Sequence, residues 1–227
     1  MAHAASYGGS MTSDSRADQR VIVNPLSGER IVIRVTAAQT GGRLLAWDLY
    51  LAPGGRVPSS HSHPAQEEVF TVLEGRMRFR IGLRSVTVAP GETVTVPPGT
   101  VHHFANAGRV TAHVAVQTRP ALDMEELLAT AAELARQQQA AGRALPHPVD
   151  LALFMADFDG EVRAPFLPAP LVSLALRPLT WLARRYGRDS RYRQARATAR
   201  PLDLAGQGSV GGAHLRQTPA PPALHHR

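Results

Sequence analysis

The sequence contains no cysteine and no lysine, and aromatic residues make up only 5% of its 227 positions. Without cysteine, disulfides, thiolate metal sites and cysteine nucleophiles are excluded. Without lysine, Schiff-base catalysis and the phosphate-binding lysine of a P-loop are excluded as well. The few aromatic rings offer little stacking surface for bases, so we expect no binding to nucleic acid.

Long apolar runs are also missing. In the C-terminal half, the longest uncharged apolar stretch is residues 164–176, and it contains three prolines. A membrane-spanning helix needs about 20 apolar residues. Residues 1–20 are small and polar and lack the apolar core of a secretory signal, so we expect a disordered leader and a cytoplasmic protein.

Positive charge is concentrated in one segment. The net charge is +7, and residues 177–200 alone hold eight arginines and one acid, Asp189. The rest of the chain is therefore neutral, with 17 arginines and 17 acidic residues. Such a segment is typical of a solvated face, and weak peripheral contact of Arg177 to Arg200 with an anionic membrane is the alternative.

The middle of the chain, residues 21–118, has the alternation of β-strands. Polar and apolar residues alternate in 76–81, 85–88 and 93–96, and similar patterns occur in 31–35 and 110–117. Glycine- and proline-rich turns separate these runs. Many short strands without intervening helices predict a mainly β, antiparallel sandwich or barrel.

Residues 119–200 change to a helical period. Asp123 followed by Glu126 resembles a capping box, and an apolar stripe then runs towards Gly142, which would end this helix. A second stripe includes Leu151 and Phe158. We expect a third helix with Pro178 in its first turn, followed by a disordered tail over 201–227.

Two histidines and a glutamate stand out in the strand region. His61 and His63 lie two positions apart, which places both imidazoles on one face of a strand, a geometry suited to metal binding. Glu68 lies at an odd offset from His63. The intervening turn at residues 64–66 allows Glu68 to begin a neighbouring strand that also faces inward.

A second stretch, residues 91–106, places His102 on a strand after a proline-rich turn. The two stretches resemble the two signature motifs of the cupin superfamily, G-x5-H-x-H-x(3,4)-E-x6-G and G-x5-P-x-G-x2-H-x3-N. All ten fixed positions are present: Gly55, His61, His63, Glu68 and Gly75, then Gly91, Pro97, Gly99, His102 and Asn106. The resemblance covers residues 21–118 and implies a double-stranded β-helix, or jelly roll, with a C-terminal helical extension outside it.

The resemblance also implies a ligand set. In cupins, three histidines and one glutamate of these motifs bind one divalent metal ion, which corresponds here to His61, His63, Glu68 and His102. Glu67 is the competing carboxylate, because the first motif allows either spacing. Glu68 is favoured by its distance of seven positions from Gly75.

The neighbours of these residues have structural explanations. His103 would face the opposite side of a regular strand from its neighbour, and Asn106 is expected to be structural. Several aromatic residues are candidates for the inner face of the barrel, more as core than as substrate walls: Trp47, Tyr50, Phe70, Phe79 and Phe104.

A site with three neutral imidazoles, one carboxylate and one divalent ion has a charge near +1 and suits an oxygen-bearing small molecule. Fe²⁺, Mn²⁺, Zn²⁺, Ni²⁺ and Co²⁺ all fit these donors. We expect a metal-dependent dioxygenase, or an isomerase or cyclase, in which Glu68 is also the catalytic base. The alternative is a binding or sensing protein without turnover. By resemblance, a homodimer is expected.

Overall fold

A computed structural model of the chain describes residues 19–57, 59–143, 145–165 and 169–199. The predicted tail and most of the predicted leader lie outside these residues. Within the described ranges, no helix has both the length and the apolar character needed to cross a membrane.

Nine antiparallel strands form the first part of the described chain. Period-two alternation places apolar side chains on one face, as in β9, where Ala112, Val114 and Val116 are buried. The strands are β1 (Val21–Asn24), β2 (Glu29–Val35), β3 (Leu45–Leu51), β4 (Glu67–Glu74), β5 (Met77–Ile81), β6 (Arg84–Val88), β7 (Thr93–Val96), β8 (His102–Asn106) and β9 (Ala112–Arg119). The five strand segments indicated by alternation all lie within or overlap these strands.

The strands build two sheets. The larger sheet has the order β1-β2-β3-β9-β4-β7, and the smaller has the order β6-β5-β8. Buried side chains from both sheets, such as Phe70 on β4 and Phe79 on β5, meet with ring centroids 5.1 Å apart. The predicted mainly β, antiparallel jelly-roll fold is confirmed.

Gly75 forms the connection that follows β4, and it is one position where only glycine fits. Its φ of +78° lies in the left-handed region, and a Cβ atom would lie 2.8 Å from the Cα of Ala112. The strand can therefore turn closely against β9 at this end of the barrel.

Four helices follow the barrel in the described chain: α1 (Met124–Ala140), α2 (Pro148–Asp157), α3 (Ala169–Arg185) and α4 (Ser190–Ala199). The expected C-terminal helical extension is thus present. Asp123 is the N-cap of α1, but its side chain makes no capping hydrogen bond. The prediction for Pro178 is wrong: α3 begins at Ala169, and this proline lies inside it. The helix α4 was not predicted, because its apolar stripe is weak.

The extension packs on the barrel and shares its core. Met124, Phe158 and Ala199 belong to the same buried apolar cluster as the inward side chains of the strands. Ser62, in the loop before β4, pairs with Arg163 after α2 through reciprocal backbone hydrogen bonds of 3.1 and 2.9 Å. The segment 158–165, which we call the strap, therefore runs against the loop that carries His61 and His63.

The basic segment is divided between paired and exposed arginines. Arg184 binds Asp157, and Arg196 binds Asp157 and Glu126. Arg177 and Arg185 have no acidic partner among the described residues, and Trp181 on the same helix is 65% exposed. Contact with an anionic membrane stays a prediction, as does the homodimer.

Candidate metal centre

Three histidines from two segments converge inside the barrel. His61 and His102 lie on neighbouring segments of the chain, which are joined by reciprocal backbone hydrogen bonds of 3.0 and 2.8 Å. His63 lies two residues after His61 in the same segment. One nitrogen of each imidazole lies within 4.8 Å of the other two, and His63 and His102 are buried. This clustering of the three histidines is what the resemblance to cupins implies.

Each imidazole is held by a backbone carbonyl at its Nδ1 atom. His61 Nδ1 lies 3.2 Å from the oxygen of Ser59, and His102 Nδ1 lies 3.0 Å from the oxygen of Thr100. The Nδ1 of His63 contacts the carbonyl oxygen of Glu161 in the strap. Since a carbonyl only accepts, these contacts assign the proton to Nδ1 and leave the Nε2 lone pairs for a ligand.

The structure also places Glu68 at this cluster. Glu68 is the second residue of β4, where its side chain is buried, and its Oε2 lies 3.0 Å from His102 Nε2 and 3.4 Å from His63 Nε2. Glu67, the alternative carboxylate, makes no such contact and lies on the other face of the same strand. Glu68 can face inward because the turn before β4 interrupts the alternation of side chains that begins in the histidine loop.

The contacts of Glu68 with His102 and His63 have the spacing of ligands to one divalent metal ion. With Nδ1 protonated, the Nε2 lone pair of His102 faces a carboxylate oxygen at 3.0 Å, so a proton or a cation must lie between them. Ligand atoms about 2.1 Å from one ion lie roughly 3.0–3.4 Å apart at angles of 90–110°. The distances from Glu68 to His102 and His63 match this range.

The electrostatics of the cluster favour an anionic Glu68 and a neutral His61. Burial, together with the charges of His102 and His63, lowers the pKa of His61 to about 4. Burial also acts to raise the pKa of Glu68, but the histidine charges and the hydrogen bond from His102 outweigh burial and hold it at about 2. For His102 burial acts downward, and the contact with Glu68 raises the pKa above its ordinary value.

A cavity of about 600 Å³ opens from the cluster. Its barrel walls include Trp47, Leu49 and Phe70, and the opposite walls come from α1 and α2 in the extension. The extension contributes mainly apolar side chains: Leu127, Leu128, Ala131, Leu134, Leu151, Phe154, Met155 and Val162. A ligand at the histidines would therefore lie in a largely apolar space, of a size that holds small organic molecules.

The aromatic candidates divide between cavity, core and outer face. Trp47, Phe70 and Phe104 line the cavity, whereas Phe79 is fully buried behind it. The prediction for Tyr50 is wrong, because Tyr50 stacks on His113 with ring centroids 4.3 Å apart, away from the cavity. Its position alternates with that of Leu49, which points inward, and this parity was visible in the sequence.

Sequence reasoning missed two features of the site. Glu29 on β2 lines the cavity. It lies two and four positions before the buried Ile31 and Ile33, so the period of a strand places all three side chains on the same inward face. The carbonyl of Glu161 holds His63 from 98 positions away, and no local pattern indicates such a contact. His103 and Asn106 have structural contacts, His103 with Ser60 Oγ at 3.1 Å.

Comparison with known proteins assigns the barrel. The model of the cupin domain family matches residues 47–117, a range that includes all four clustered side chains. Residues 47–117 form a cupin domain. The helical extension lies outside the matched range.

Curated relatives match over similar lengths. An uncharacterized protein of Streptomyces coelicolor is 37% identical over 62 residues, which are 27% of this chain and 58% of that protein. An uncharacterized protein of Methanocaldococcus jannaschii is 33% identical over 60 residues, 26% of this chain and 48% of that protein. The chain thus spans about half the length of these relatives.

Solved structures similar to this cupin include a putative sugar phosphate isomerase from Acidithiobacillus ferrooxidans, at 24% identity and a TM-score of 0.39. That likeness covers 48% of this chain and 73% of the other. KdgF from Halomonas sp. is 18% identical with a TM-score of 0.41, over 51% of this chain and 98% of that one.

Proposed function

We propose that this cupin holds one divalent metal ion through His61, His63, His102 and Glu68, and acts as a metal-dependent enzyme on a small oxygen-bearing molecule. One observation carries the proposal. Three imidazole nitrogens converge at one end of a largely apolar cavity, Glu68 lies beside two of the imidazoles, and backbone carbonyls orient all three.

Bound there, a divalent ion supplies a Lewis acid for an oxygen of the ligand or, as Fe²⁺, the redox partner for O₂. The surrounding residues have their own tasks. The carbonyls of Ser59, Thr100 and Glu161 fix the imidazoles in one tautomer, which raises their basicity as donors. The apolar walls exclude water and strengthen electrostatic interactions within the cavity.

Glu68 is proposed as the catalytic base. To act as the base, Glu68 would leave the metal transiently, and its position beside two imidazoles places it next to the atoms of a ligand held at the cluster. In an isomerisation, the proton that Glu68 removes from the ligand returns to the ligand at another atom. In a dioxygenase reaction, both atoms of O₂ enter the product, so no external reductant is required.

A second candidate is ligand binding without turnover. Among the described residues, Glu68 is the one carboxylate that contacts the clustered histidines, at His63 and His102, and the metal would occupy it. A site without a further free base suits a binding or sensing protein. Turnover of a bound ligand separates the two candidates.

Metal analysis of the protein purified without an affinity tag tests the proposal. We expect about one first-row metal per chain, and loss of this metal in His61→Ala and His102→Ala. His103→Ala is the matched control, because His103 is a neighbouring histidine that contacts Ser60 instead of the cluster. Equal metal content in His102→Ala and His103→Ala would refute the site.

Nitric oxide binding to the Fe²⁺ form, measured by electron spin resonance without air, then separates the two reaction classes. A spin signal from the nitrosyl adduct supports a position for O₂ and the dioxygenase reaction. Absence of the signal in a protein that retains Fe²⁺ favours Lewis-acid chemistry.

A further inference from the structure

The cavity has a second polar end, at Glu29. Glu29 is the first residue of β2 and lines the cavity with Ile31 of the same strand. The hydroxyl of Ser27 donates to its Oε2 at 2.5 Å, which fixes the carboxyl group. Burial raises the pKa of Glu29 above its ordinary value. Oε1 has no partner among the described residues, so it is available to a ligand.

Strand register gives the separation of the two ends. The His61–His102 pair marks the level of the metal cluster, and the Arg56–Ala105 pair lies three residues further along β8. Arg56 donates its backbone N–H to the carbonyl of Ser27, whose hydroxyl holds the carboxyl group of Glu29. At about 3.3 Å per residue, the level of Glu29 is roughly 10 Å from the histidines.

Between these ends, the walls are mainly apolar and come from both parts of the chain. Trp47, Leu49 and Phe70 belong to the barrel, and Leu128 and Phe154 belong to the extension. Because the strap is joined to the histidine loop by the Ser62–Arg163 hydrogen bonds, these helices are positioned over the cavity by the same contact that supports the metal site.

We propose that this cavity binds an elongated ligand with three parts: an oxygen-bearing end at the histidines, an apolar middle between the sheet and helices α1 and α2, and a polar group at Glu29. This inference rests on the proposed function for the oxygen-bearing end. Its other two parts depend only on the walls and on Glu29.

Three hydroxamates test the parts separately, by calorimetric titration of the Co²⁺-loaded protein. Acetohydroxamate provides the metal-binding end alone, octanohydroxamate adds six methylenes, and 8-hydroxyoctanohydroxamate adds a terminal hydroxyl. Each methylene that leaves water contributes about fourfold in affinity, so complete burial of the six gives on the order of 10³-fold. We expect octanohydroxamate to bind at least about 30-fold more tightly than acetohydroxamate.

The terminal hydroxyl tests Glu29 in the unmodified protein. A hydroxyl buried without a partner weakens binding by roughly 10- to 100-fold. Beside Glu29 it has a partner, whether the carboxyl group accepts or donates. We therefore expect 8-hydroxyoctanohydroxamate to bind at least as tightly as octanohydroxamate, and a tenfold or greater loss would overturn the role of Glu29.

Substitutions provide matched controls. Glu29→Met is nearly isosteric and should make the hydroxylated probe at least about tenfold weaker than octanohydroxamate. Asp150→Asn changes the other buried cavity carboxyl outside the metal cluster, in the first turn of α2, and should leave the ratio of the two probes unchanged. A shift of this ratio in Asp150→Asn but not in Glu29→Met would overturn the assignment to Glu29.

Wall variants test the apolar middle. Leu128→Ser should reduce the advantage of octanohydroxamate over acetohydroxamate by about tenfold, whereas Leu83→Ser, on a residue that is 94% exposed, should not change it. If acetohydroxamate shifts the Co²⁺ visible spectrum but chain length adds no affinity, the inference fails and the metal site stands. If the protein takes up no Co²⁺, the proposed function fails.

Discussion

Phe158 connects the folding of the extension to the metal centre, and its substitution is a sharp test. Its side chain is fully buried, packs on Phe154 with ring centroids 5.0 Å apart, and lies under the guanidinium of Arg196 at 5.2 Å. Its carbonyl accepts from the backbone N–H groups of Glu161 and Val162 at 3.1 and 2.9 Å. Phe158 therefore anchors the turn that directs the Glu161 carbonyl at His63.

Phe158→Ala leaves a cavity at a site with no solvent access, which costs about 3–5 kcal/mol of unfolding free energy. For a chain of this size, the melting temperature should fall by roughly 10 °C. Loss of the partner that orients a ligand histidine typically costs 10- to 100-fold in metal affinity. We expect both losses, measured by thermal unfolding and by competition with a chelator for Co²⁺ at 25 °C.

Met77→Ala is the control for general destabilisation. Met77 is equally buried, but it lies at the end of β5 that pairs with Asn106, away from His102. It should lose a similar amount of stability, about 2–5 kcal/mol, and keep its metal affinity. The role of the strap in the metal site would be refuted if both variants lost metal affinity equally, or if neither variant lost any.

Three further predictions concern other parts of the molecule. Asn106→Ala removes hydrogen bonds to the carbonyls of Leu51 and Val110 at 2.8 and 2.7 Å, so unfolding free energy should fall by about 2–4 kcal/mol while metal content is kept. Because burial raises the pKa of Glu29 in the folded state, stability should decrease as the pH rises above 4.5, the ordinary pKa of a glutamate, and Glu29→Gln should flatten this decrease in urea titrations. Sedimentation with anionic vesicles should decrease with salt and on Trp181→Ser; salt-independent or absent binding would refute membrane contact by the basic segment.

Local pattern was sufficient for the barrel but not for the extension. In β5 and β9, alternation was nearly continuous, and the strands follow it. Pro178 lies inside α3, whereas sequence favours the first turn of a helix, where most prolines that fit helices occur. Tyr50 was assigned inward on aromatic character alone, although its parity with Leu49 indicated the opposite.

The metal cluster could be predicted from the sequence, whereas the cavity walls could not. The spacing of His61 and His63 predicts one shared face, and the resemblance of the two motifs to those of cupins implies that His102 joins them. The Glu161 carbonyl and the walls from α1 and α2 depend on how the extension docks onto the barrel, a contact between segments about 100 residues apart. Long-range docking of this kind leaves no periodic signal in a single sequence.

The two-way backbone pairing of Ser62 with Arg163 has a thermodynamic consequence. If attachment of the strap raises metal affinity by some factor, reciprocity requires that metal loading tighten the attachment by the same factor. Hydrogen exchange at these two amides should therefore slow when the protein takes up metal. Metal binding at the histidines and attachment of the helical extension to the barrel would then be two thermodynamically coupled equilibria.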